Sequence, residues 1–403
     1  MYPPAHAASA GRSFEVLRAF LRLGVGSFGG PVAHLGYFRR EFVLRRAWLT
    51  EQAFAELVAL CQLLPGPASS QVGFAIGLTR AGYRGALAAW LGFTAPSALL
   101  MTAFAVAAPA LGAAPAAVVL HGLQLVAVAI VAQAVLGMAR ALCPDLARAC
   151  IGVLGCLVAL AAGSGVAQAL VLLLGALLGI WLCRDTPAET IAAPLPCGVS
   201  HRAGAVALGA FLLLLVGLPL LSRAWPGSAL ALLFACYRSG ALVFGGGHVV
   251  LPLLRAGFVP PGWVSDADFL AGYGAAQALP GPLFSFAAYL GARASIAPGV
   301  VPGALLGLCG IFVPGLLLLL AALAFWPQLR GRWLARAALL GINAAVVGLL
   351  AAALYRPVWL SAVRSAGDAA IAAAGLALLM LVRAPPWLVV LLTVCAAALV
   401  RGG

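Results

Sequence analysis

The residues whose types and spacing best suit chemistry lie in a six-residue stretch that occurs twice. Gln62-Leu63-Leu64-Pro65-Gly66-Pro67 returns in the second half of the chain as Gln277-Ala278-Leu279-Pro280-Gly281-Pro282. Proline removes a backbone donor and glycine loosens the chain, so each copy predicts a helix break. Both copies lie in long apolar regions, where unsatisfied backbone groups are costly unless protein or a water-filled cavity satisfies them. Paired breaks of this kind point to a ligand site inside a membrane.

Each break is expected to end one half-helix and to begin another. A half-helix N-terminus presents free N–H groups and a positive dipole end, and two such ends facing each other would form an anion site without a metal. Polar side chains that follow the breaks are expected to add hydrogen bonds to an oxyanion; they are Ser69, Ser70, Gln71 and Ser285. The alternative is a packing kink, because proline is tolerated in membrane helices.

Two glycine clusters and two arginines also occupy matching places in the halves. Phe28-Gly29-Gly30 is matched by Phe244-Gly245-Gly246, and Arg22 and Arg238 precede these clusters. Glycine lets a second backbone or an anion approach closely, although small-residue helix packing explains such clusters as well. The guanidinium of Arg238, with apolar runs on both sides, is suited to grip a tetrahedral dianion with two parallel hydrogen bonds. Snorkelling to the membrane interface is the alternative for both arginines.

Three acids are candidates for proton coupling. Glu51 and Asp266 follow a matched tryptophan in the two halves, where they would either relay protons or pair with Arg39 and Arg255. They would equally serve as first-turn acids of the next helix, after a capping hydroxyl residue. Glu56 lies one turn beyond Glu51 and has no acidic counterpart, which makes it a further candidate proton carrier.

Other polar residues lie within apolar segments. Asn343 aligns with Gln124, and an amide at the same depth in both halves would line the site or bridge helices. His34, His121 and His248 show no metal-ligand spacing. We therefore expect no metal and no cofactor.

The composition places the chain in a membrane. The 403 residues are 64% hydrophobic and 8% charged, with a mean hydropathy of +1.09, whereas about a quarter of the residues in a soluble chain are charged. All 24 basic residues are arginine. The absence of lysine removes Schiff-base chemistry and a P-loop lysine. Because the arginines are scattered at loop edges, the net charge of +14 indicates anchoring to the lipid bilayer and not nucleic-acid binding.

Apolar segments of about the length of a bilayer span predict the helices that position these residues. The predicted segments are 85–108, 117–139, 149–163, 166–183, 203–221, 303–325, 337–355, 367–382 and 386–400. We predict an all-α polytopic integral membrane protein made of two homologous halves, each with Gly/Pro-broken helices. The halves are residues 1–183 and 229–403, and the linker 184–228 contributes a single linking span.

The charges of matching loops predict that the halves are inverted in the membrane. Loop 39–51 carries four arginines, and its counterpart 255–268 carries one arginine and two aspartates. Each such loop is basic in one half only, as the positive-inside rule requires of opposite orientations. Arg356 and Arg364 would then lie outside, which counts against an inverted-topology repeat.

Taken together, these motifs resemble the chromate ion transporter family in its two-half form. The resemblance is carried by Phe20-Leu21-Arg22-Leu23-Gly24 through Pro31, by both Pro-Gly-Pro stretches and by Phe244-Gly245-Gly246-Gly247-His248, so it covers nearly the whole chain. It implies a multi-pass protein of the bacterial inner membrane that exports chromate, confers chromate resistance and is driven by the proton-motive force. The repeated broken helices favour an alternating-access mechanism. A homodimer is an open alternative to a monomer.

Other functions are weighed against chromate export. Sulfate is nearly isosteric with chromate, so a transporter of sulfate or another oxyanion stays an alternative, and a passive anion channel is a second. An intramembrane enzyme is disfavoured, because the chain has no H-E-x-x-H and no G-x-S-x-G motif.

Overall fold

The computed structural model describes residues 10–28, 30–108, 113–162, 165–184, 198–244, 249–329 and 333–402. All regular structure within these ranges is helical. This agrees with the prediction of an all-α chain.

The first half and the linker contain eight α-helices. They are α1 Ala10–Gly26, α2 Gly30–Phe38, α3 Glu51–Leu63, α4 Ala68–Ala107, α5 Ala113–Leu142, α6 Leu146–Ala162, α7 Gly165–Leu182 and α8 His201–Ala224. A π-helical segment, Arg39–Arg45, continues α2. The described residues of the predicted apolar segments of the first half and of the predicted linking segment are therefore almost all helical.

The second half repeats this order. Its helices are α9 Ala229–Leu242, α10 Val250–Phe258, α11 Asp266–Ala278, α12 Phe286–Arg293, α13 Val300–Leu329, α14 Trp333–Ala353, α15 Leu360–Ala362, α16 Ala366–Ala377 and α17 Pro386–Gly402. A 3₁₀ turn, Leu283–Ser285, precedes α12, and π-helical segments Leu354–Trp359 and Leu378–Val382 follow α14 and α16.

Helix α4 is two helices joined by a sharp turn. Ala81 and Gly82 have non-helical backbone angles, and Gly82 has a φ of +62°. A Cβ atom added to Gly77 would collide with the carbonyl oxygen of Gly85, so the two arms lie side by side. Helices α12 and α13 form the equivalent pair, with Gly291 against the backbone of Gly303. Glycine at these contacts lets two helix backbones approach each other closely.

Within the described residues, five helical stretches are long and apolar enough to cross a membrane. They are Ala68–Ala107, His121–Leu142, His201–Ala224, Val300–Phe325 and Arg336–Ala362. Five shorter apolar helices accompany them: Leu146–Ala161, Leu170–Leu182, Ala229–Leu242, Ala366–Val382 and Pro386–Leu399. The chain is thus a polytopic membrane protein, as the composition predicts.

Helices of each half pack against helices of the other half. Helix α5 of the first half packs against α16 and α17 of the second, and α14 packs against α6 and α7. Small residues line these contacts: Gly341 of α14 abuts Gly175 and Gly179 of α7, and Gly122 of α5 abuts Val394 of α17. The core therefore lies between the halves as well as within each of them.

Candidate functional site

The first Pro-Gly-Pro break closes on the second half of the chain. Helix α3 ends at Leu63, and α4 begins at Ala68 after a non-helical stretch. The Gly66 N–H donates to the carbonyl oxygen of Val243 at 2.7 Å. Gly66 has a φ of +119°, and a Cβ atom there would lie 2.8 Å from Cα of Gly315. Only glycine fits this position, because the backbone angle and the space both exclude a side chain.

The second break closes on the first half in the same manner. Helix α11 ends at Ala278, and the Gly281 N–H donates to the carbonyl oxygen of Ser27 at 2.9 Å. Gly281 has a φ of +98°, and a Cβ atom there would lie 2.8 Å from Oγ of Ser97. Ser27 and Val243 each directly precede the Phe-Gly-Gly cluster of their own half. Each Pro-Gly-Pro break therefore bonds to the residue before the glycine cluster of the other half.

The start of α4 has open hydrogen-bonding capacity. Its N-cap is Pro67, which makes no side-chain cap, whereas Thr50 and Ser265 cap α3 and α11 with their hydroxyl oxygens. The first four N–H groups of a helix have no partner inside the helix, so an uncapped start leaves donors available. The first-turn side chains of Ser69, Ser70 and Gln71 are buried here, and all three were predicted site residues.

The second break is lined differently, which corrects the expectation of two like helix ends. A 3₁₀ turn follows Pro282, and α12 begins only at Phe286. Phe284 and Phe286 are buried at the places that match Ser69 and Gln71, and the predicted Ser285 is buried between them. Bulky phenyl rings therefore replace the polar first turn, and the two breaks offer different surroundings to a ligand.

Buried polar atoms without partners lie at the first break and in the segments that contact the second. Oγ of Ser70 and Oε1 of Gln71 lack a hydrogen-bond partner within the described part of the chain, and so do Oγ of Ser27 and Oγ1 of Thr94. The amide nitrogen of Gln71 donates to the carbonyl oxygens of Pro65 at 2.9 Å and of Gly315 at 2.8 Å, so both of its hydrogens are already used. A buried polar atom left unbonded is costly and signals a ligand or a bound water.

His34 belongs to this cluster, although its position in the sequence predicted neither a metal ligand nor an anion contact. Its Nε2 lies 3.2 Å from the carbonyl oxygen of Ser27, and its Nδ1 lies 3.4 Å from Oγ of Ser69. A carbonyl can only accept, so Nε2 carries the hydrogen, and in the neutral ring Nδ1 accepts from the Ser69 hydroxyl. The available signal was a histidine a few residues after a duplicated glycine cluster.

The other predicted residues of the breaks have varied environments. Gln62 is exposed, whereas Gln277 is half-buried and its Nε2 atom has no partner among the described residues. Gly30 opens α2 with a φ of +77°, and a Cβ atom there would meet nothing within 4 Å. Gly29, Gly245 and Gly246 lie outside the described residues.

In the described structure, the contacts of the two predicted arginines are with residues outside the breaks. Arg22 is exposed and lines a surface depression together with Glu15, Arg18 and Arg46. Arg238 is half-buried, and its guanidinium lies over the ring of Phe234 at 5.7 Å. No contact recorded within the described chain links either guanidinium to a Pro-Gly-Pro residue.

The matched acids pair with the matched arginines. Glu51 accepts a hydrogen bond from Arg39 at 2.5 Å. The two oxygens of Asp266 accept from Arg255 at 2.9 and 2.5 Å. Both acids stand in the first turn of a helix that Thr50 or Ser265 caps, so the pairing and capping interpretations are confirmed. Glu56 is fully buried on α3.

The matched amides have different surroundings. Gln124 on α5 donates from Nε2 to the carbonyl oxygen of Ala267 on α11 at 3.2 Å, so it bridges helices of the two halves. Asn343 on α14 is 7% exposed, and its Oδ1 atom has no hydrogen-bond partner within the described residues. Bridging is thus observed for Gln124.

The chain is similar in sequence to known chromate transport proteins. The chain is 31% identical over 352 residues to the chromate transport protein of Pseudomonas aeruginosa, covering 84% of this chain and 79% of that protein. It is 30% identical over 317 residues to the probable chromate transport protein of Synechococcus elongatus, covering 75% and 74% of the two chains. It is 28% identical over 315 residues to the chromate transport protein of Cupriavidus metallidurans, covering 74% and 71%.

No solved structure has significant similarity to the chain. The family model described as Chromate transporter matches two separate stretches, residues 14–180 and 230–400. These stretches contain α1–α7 and α9–α17 almost entirely, with one Pro-Gly-Pro break in each. The chain therefore belongs to the chromate transporter family.

Proposed function

We propose that this protein exports chromate across the bacterial inner membrane, and that the anion binds at the start of α4. The observation that carries the proposal is the uncapped helix start at Pro67, followed by the buried Ser69 and Ser70, of which Ser70 has an Oγ without a partner among the described residues. Chromate is a tetrahedral dianion that only accepts hydrogen bonds. Free N–H groups at a positive helix end suit such an anion.

Side chains of the first half would complete the anion site. The hydroxyls of Ser69 and Ser70 would donate to oxyanion oxygens, and the free Oγ of Ser70 can do so without breaking an existing bond. In our proposal the second half contributes chiefly backbone, through the Gly281 N–H that holds Ser27. Neutral donors of this kind bind sulfate by the same contacts, so sulfate is the main competing substrate.

The two family stretches would be inverted repeats on either side of α8. An inverted repeat supports alternating access, because the two halves can rock against each other around a central site. The bonds from Gly66 to Val243 and from Gly281 to Ser27 support this proposal, because each joins a break in one half to the other half. Rocking would loosen one such bond while the other is retained.

Charge favours export. With a negative cell interior, outward movement of an anion gains about 2.3 kcal/mol per charge at 100 mV, and a dianion gains about twice this amount. The membrane potential would thus supply most of the driving force, with the proton gradient as the second component of the proton-motive force.

Counterflow in proteoliposomes tests the proposed function. Vesicles loaded with unlabelled chromate, sulfate or molybdate are diluted into the labelled anion, with and without a pH gradient. A carrier gives a transient uphill accumulation of label, and chromate should give the largest. A passive channel gives none. Faster exchange of sulfate than of chromate would assign the protein to sulfate.

Labelling of matched loops tests the inverted repeat. In a cysteine-free background, Arg45→Cys at the end of the π-helical segment and Pro260→Cys after α10 place thiols at exposed, matching positions of the two halves. A membrane-impermeant maleimide should label the two variants from opposite sides of the membrane. Labelling from the same side would show that the halves are parallel.

A further inference from the structure

A histidine and an aspartate from opposite halves form a buried pair away from the breaks. His121 on α5 and Asp368 on α16 approach within 2.7 Å, between Nε2 and Oδ1. Their side chains are 3% and 7% exposed. Both lie in apolar helices, the candidate span His121–Leu142 and the shorter Ala366–Val382. Ionisable residues in such segments are expensive, and they often mark proton or ion pathways.

The aspartate is held in place by its own helix start. Its Oδ2 accepts from the Arg364 N–H at 3.0 Å, and its own N–H donates to Oγ of Ser365 at 3.1 Å. The carboxylate is therefore fixed in position as the acceptor for His121. Nε2 of His121 donates to it, since an ionised carboxylate can only accept.

The second imidazole nitrogen of His121 is available to bind a proton. Nδ1 of His121 is buried and has no hydrogen-bond partner within the described residues. A proton from water that binds there would convert the ring to an imidazolium. The carboxylate of Asp368 would then stabilise that charge directly, because opposite charges attract strongly in a poorly solvated site. The bond between the halves would be strengthened by the bound proton.

The His121–Asp368 pair has no counterpart at the matching positions of the two halves. In the register that aligns Gln124 with Asn343, the place of His121 is taken by Leu340. The matching helix caps Asp145 and Ser365 place Arg148 at the position of Asp368, and Arg148 pairs with Asp145 of its own helix start. The mirrored contact between α14 and α6 is thus made without an ionisable pair. A requirement of packing alone would apply to both contacts, so the pair serves something that packing does not require.

Other charged groups near α5 are engaged elsewhere or exposed. Asp266 and Asp268 on α11 bind Arg255 and Arg293. Arg356 and Arg364, which flank α15, are exposed. Helix α17 contributes the apolar Val389, Val390 and Val394 in this region, together with the buried Thr393, which is not ionisable. Among the described residues, Asp368 is the charged group recorded in contact with the His121 ring.

We infer that His121 and Asp368 form the proton-binding site that couples transport to the pH gradient. Proton binding and release at Nδ1 would alternate with the making and breaking of the α5–α16 contact as the halves move. The inference rests on the proposed transport cycle but not on the position of the anion site.

The test uses full-length protein in proteoliposomes, with a pH difference of one unit and the membrane potential clamped at zero. The labelled anion is whichever of chromate, sulfate and molybdate exchanges fastest in counterflow. One unit of pH corresponds to about a tenfold anion ratio for each coupled proton. His121→Gln keeps an N–H donor for Asp368 but cannot be protonated, and Asp368→Asn removes the charge. His201→Gln, at an exposed site on α8, controls for the loss of a histidine.

Wild type and His201→Gln should reach about the tenfold ratio per proton, and His121→Gln and Asp368→Asn should fall to about one. Counterflow should continue in all four proteins, which shows that the variants fold. Equal ratios in wild type and both pair variants would overturn the inference, as would a wild-type ratio of one. Absence of counterflow with every anion would instead overturn the proposed function.

Discussion

The N–H of Gly66 donates to the carbonyl oxygen of Val243 at 2.7 Å, and this bond joins the two halves at the first helix break. Its counterpart runs from Gly281 to Ser27 at 2.9 Å. Both donors are glycines with positive φ, so the breaks are defined by backbone geometry. Each Pro-Gly-Pro break is thus hydrogen-bonded to the other half of the chain, at the residue before the Phe-Gly-Gly sequence.

Substitution of the break glycines should damage both stability and transport. Gly66→Ala and Gly281→Ala place a Cβ atom at a positive φ, which costs about 1–2 kcal/mol before any collision is counted. Collisions with Gly315 and Ser97 add to this cost. We expect a lower melting temperature and loss of chromate counterflow. Gly36→Ala in α2 is the control, because a Cβ atom there meets nothing within 4 Å. Counterflow at the wild-type rate in both Gly66→Ala and Gly281→Ala would show that the hydrogen bonds at the breaks are not needed for transport.

Two matched serines should contribute unequally to anion binding. Ser70→Ala removes a buried hydroxyl whose Oγ has no partner in the described structure, so the unliganded protein should lose no stability. A hydrogen bond to a charged group is worth about 1.5–3 kcal/mol, so the chromate Kd should rise at least about tenfold. Ser285→Ala at the matching place, between Phe284 and Phe286, should leave the Kd unchanged. Titration calorimetry measures both, and an unchanged Kd for Ser70→Ala would remove the α4 start from the site.

Arg238 remains a predicted contributor to transport, although no recorded contact places it at a break. Arg238→Ala should abolish chromate accumulation in everted vesicles while membrane insertion stays intact. Arg22→Ala is the matched variant, and it should have little effect because Arg22 is exposed at the surface. Unchanged accumulation in Arg238→Ala vesicles would exclude Arg238 from the pathway.

The acids that follow the matched tryptophans should not carry the coupled proton. Asp266→Asn and Glu51→Gln break ion pairs that are partly exposed, and such pairs contribute roughly 0–1 kcal/mol. We expect a small loss of stability and an anion ratio, under an imposed pH gradient, equal to that of wild type. A ratio near one in either variant would instead assign proton coupling to these acids.

Stability should depend on pH through Glu41 in the π-helical segment that continues α2. Burial raises the pKa of this carboxyl, but hydrogen bonds from Arg46 and Arg45 outweigh burial and hold the pKa below its ordinary value. A carboxyl with a lowered folded-state pKa adds stability above its unfolded pKa, and that stability is lost as the pH falls through the folded value. Glu41→Gln should therefore lower the melting temperature at neutral pH and have little effect in acid. An equal effect at both pH values would contradict this assignment.

The sequence by itself determined the class of protein and the order of its helices. Long apolar runs without charge have few alternatives to membrane helices, and Pro-Gly-Pro within such runs interrupts the helical hydrogen bonds wherever it occurs. The helix starts at Glu51 and Asp266, with their arginine partners, followed from local rules of capping and charge. The duplication itself was visible because related residues recur in the same order.

Only the tertiary structure decided which residues meet. The bonds of Gly66 to Val243 and of Gly281 to Ser27 join residues far apart in sequence, and no local pattern encodes such pairings. The structure also showed that two breaks with similar sequences have different surroundings. Ser69 and Gln71 face a polar cluster with His34, whereas Phe284 and Phe286 fill the matching places. His121 and Asp368 are neighbours because α5 of the first half packs against α16 of the second. A single sequence does not reveal which helices of the two halves pack together.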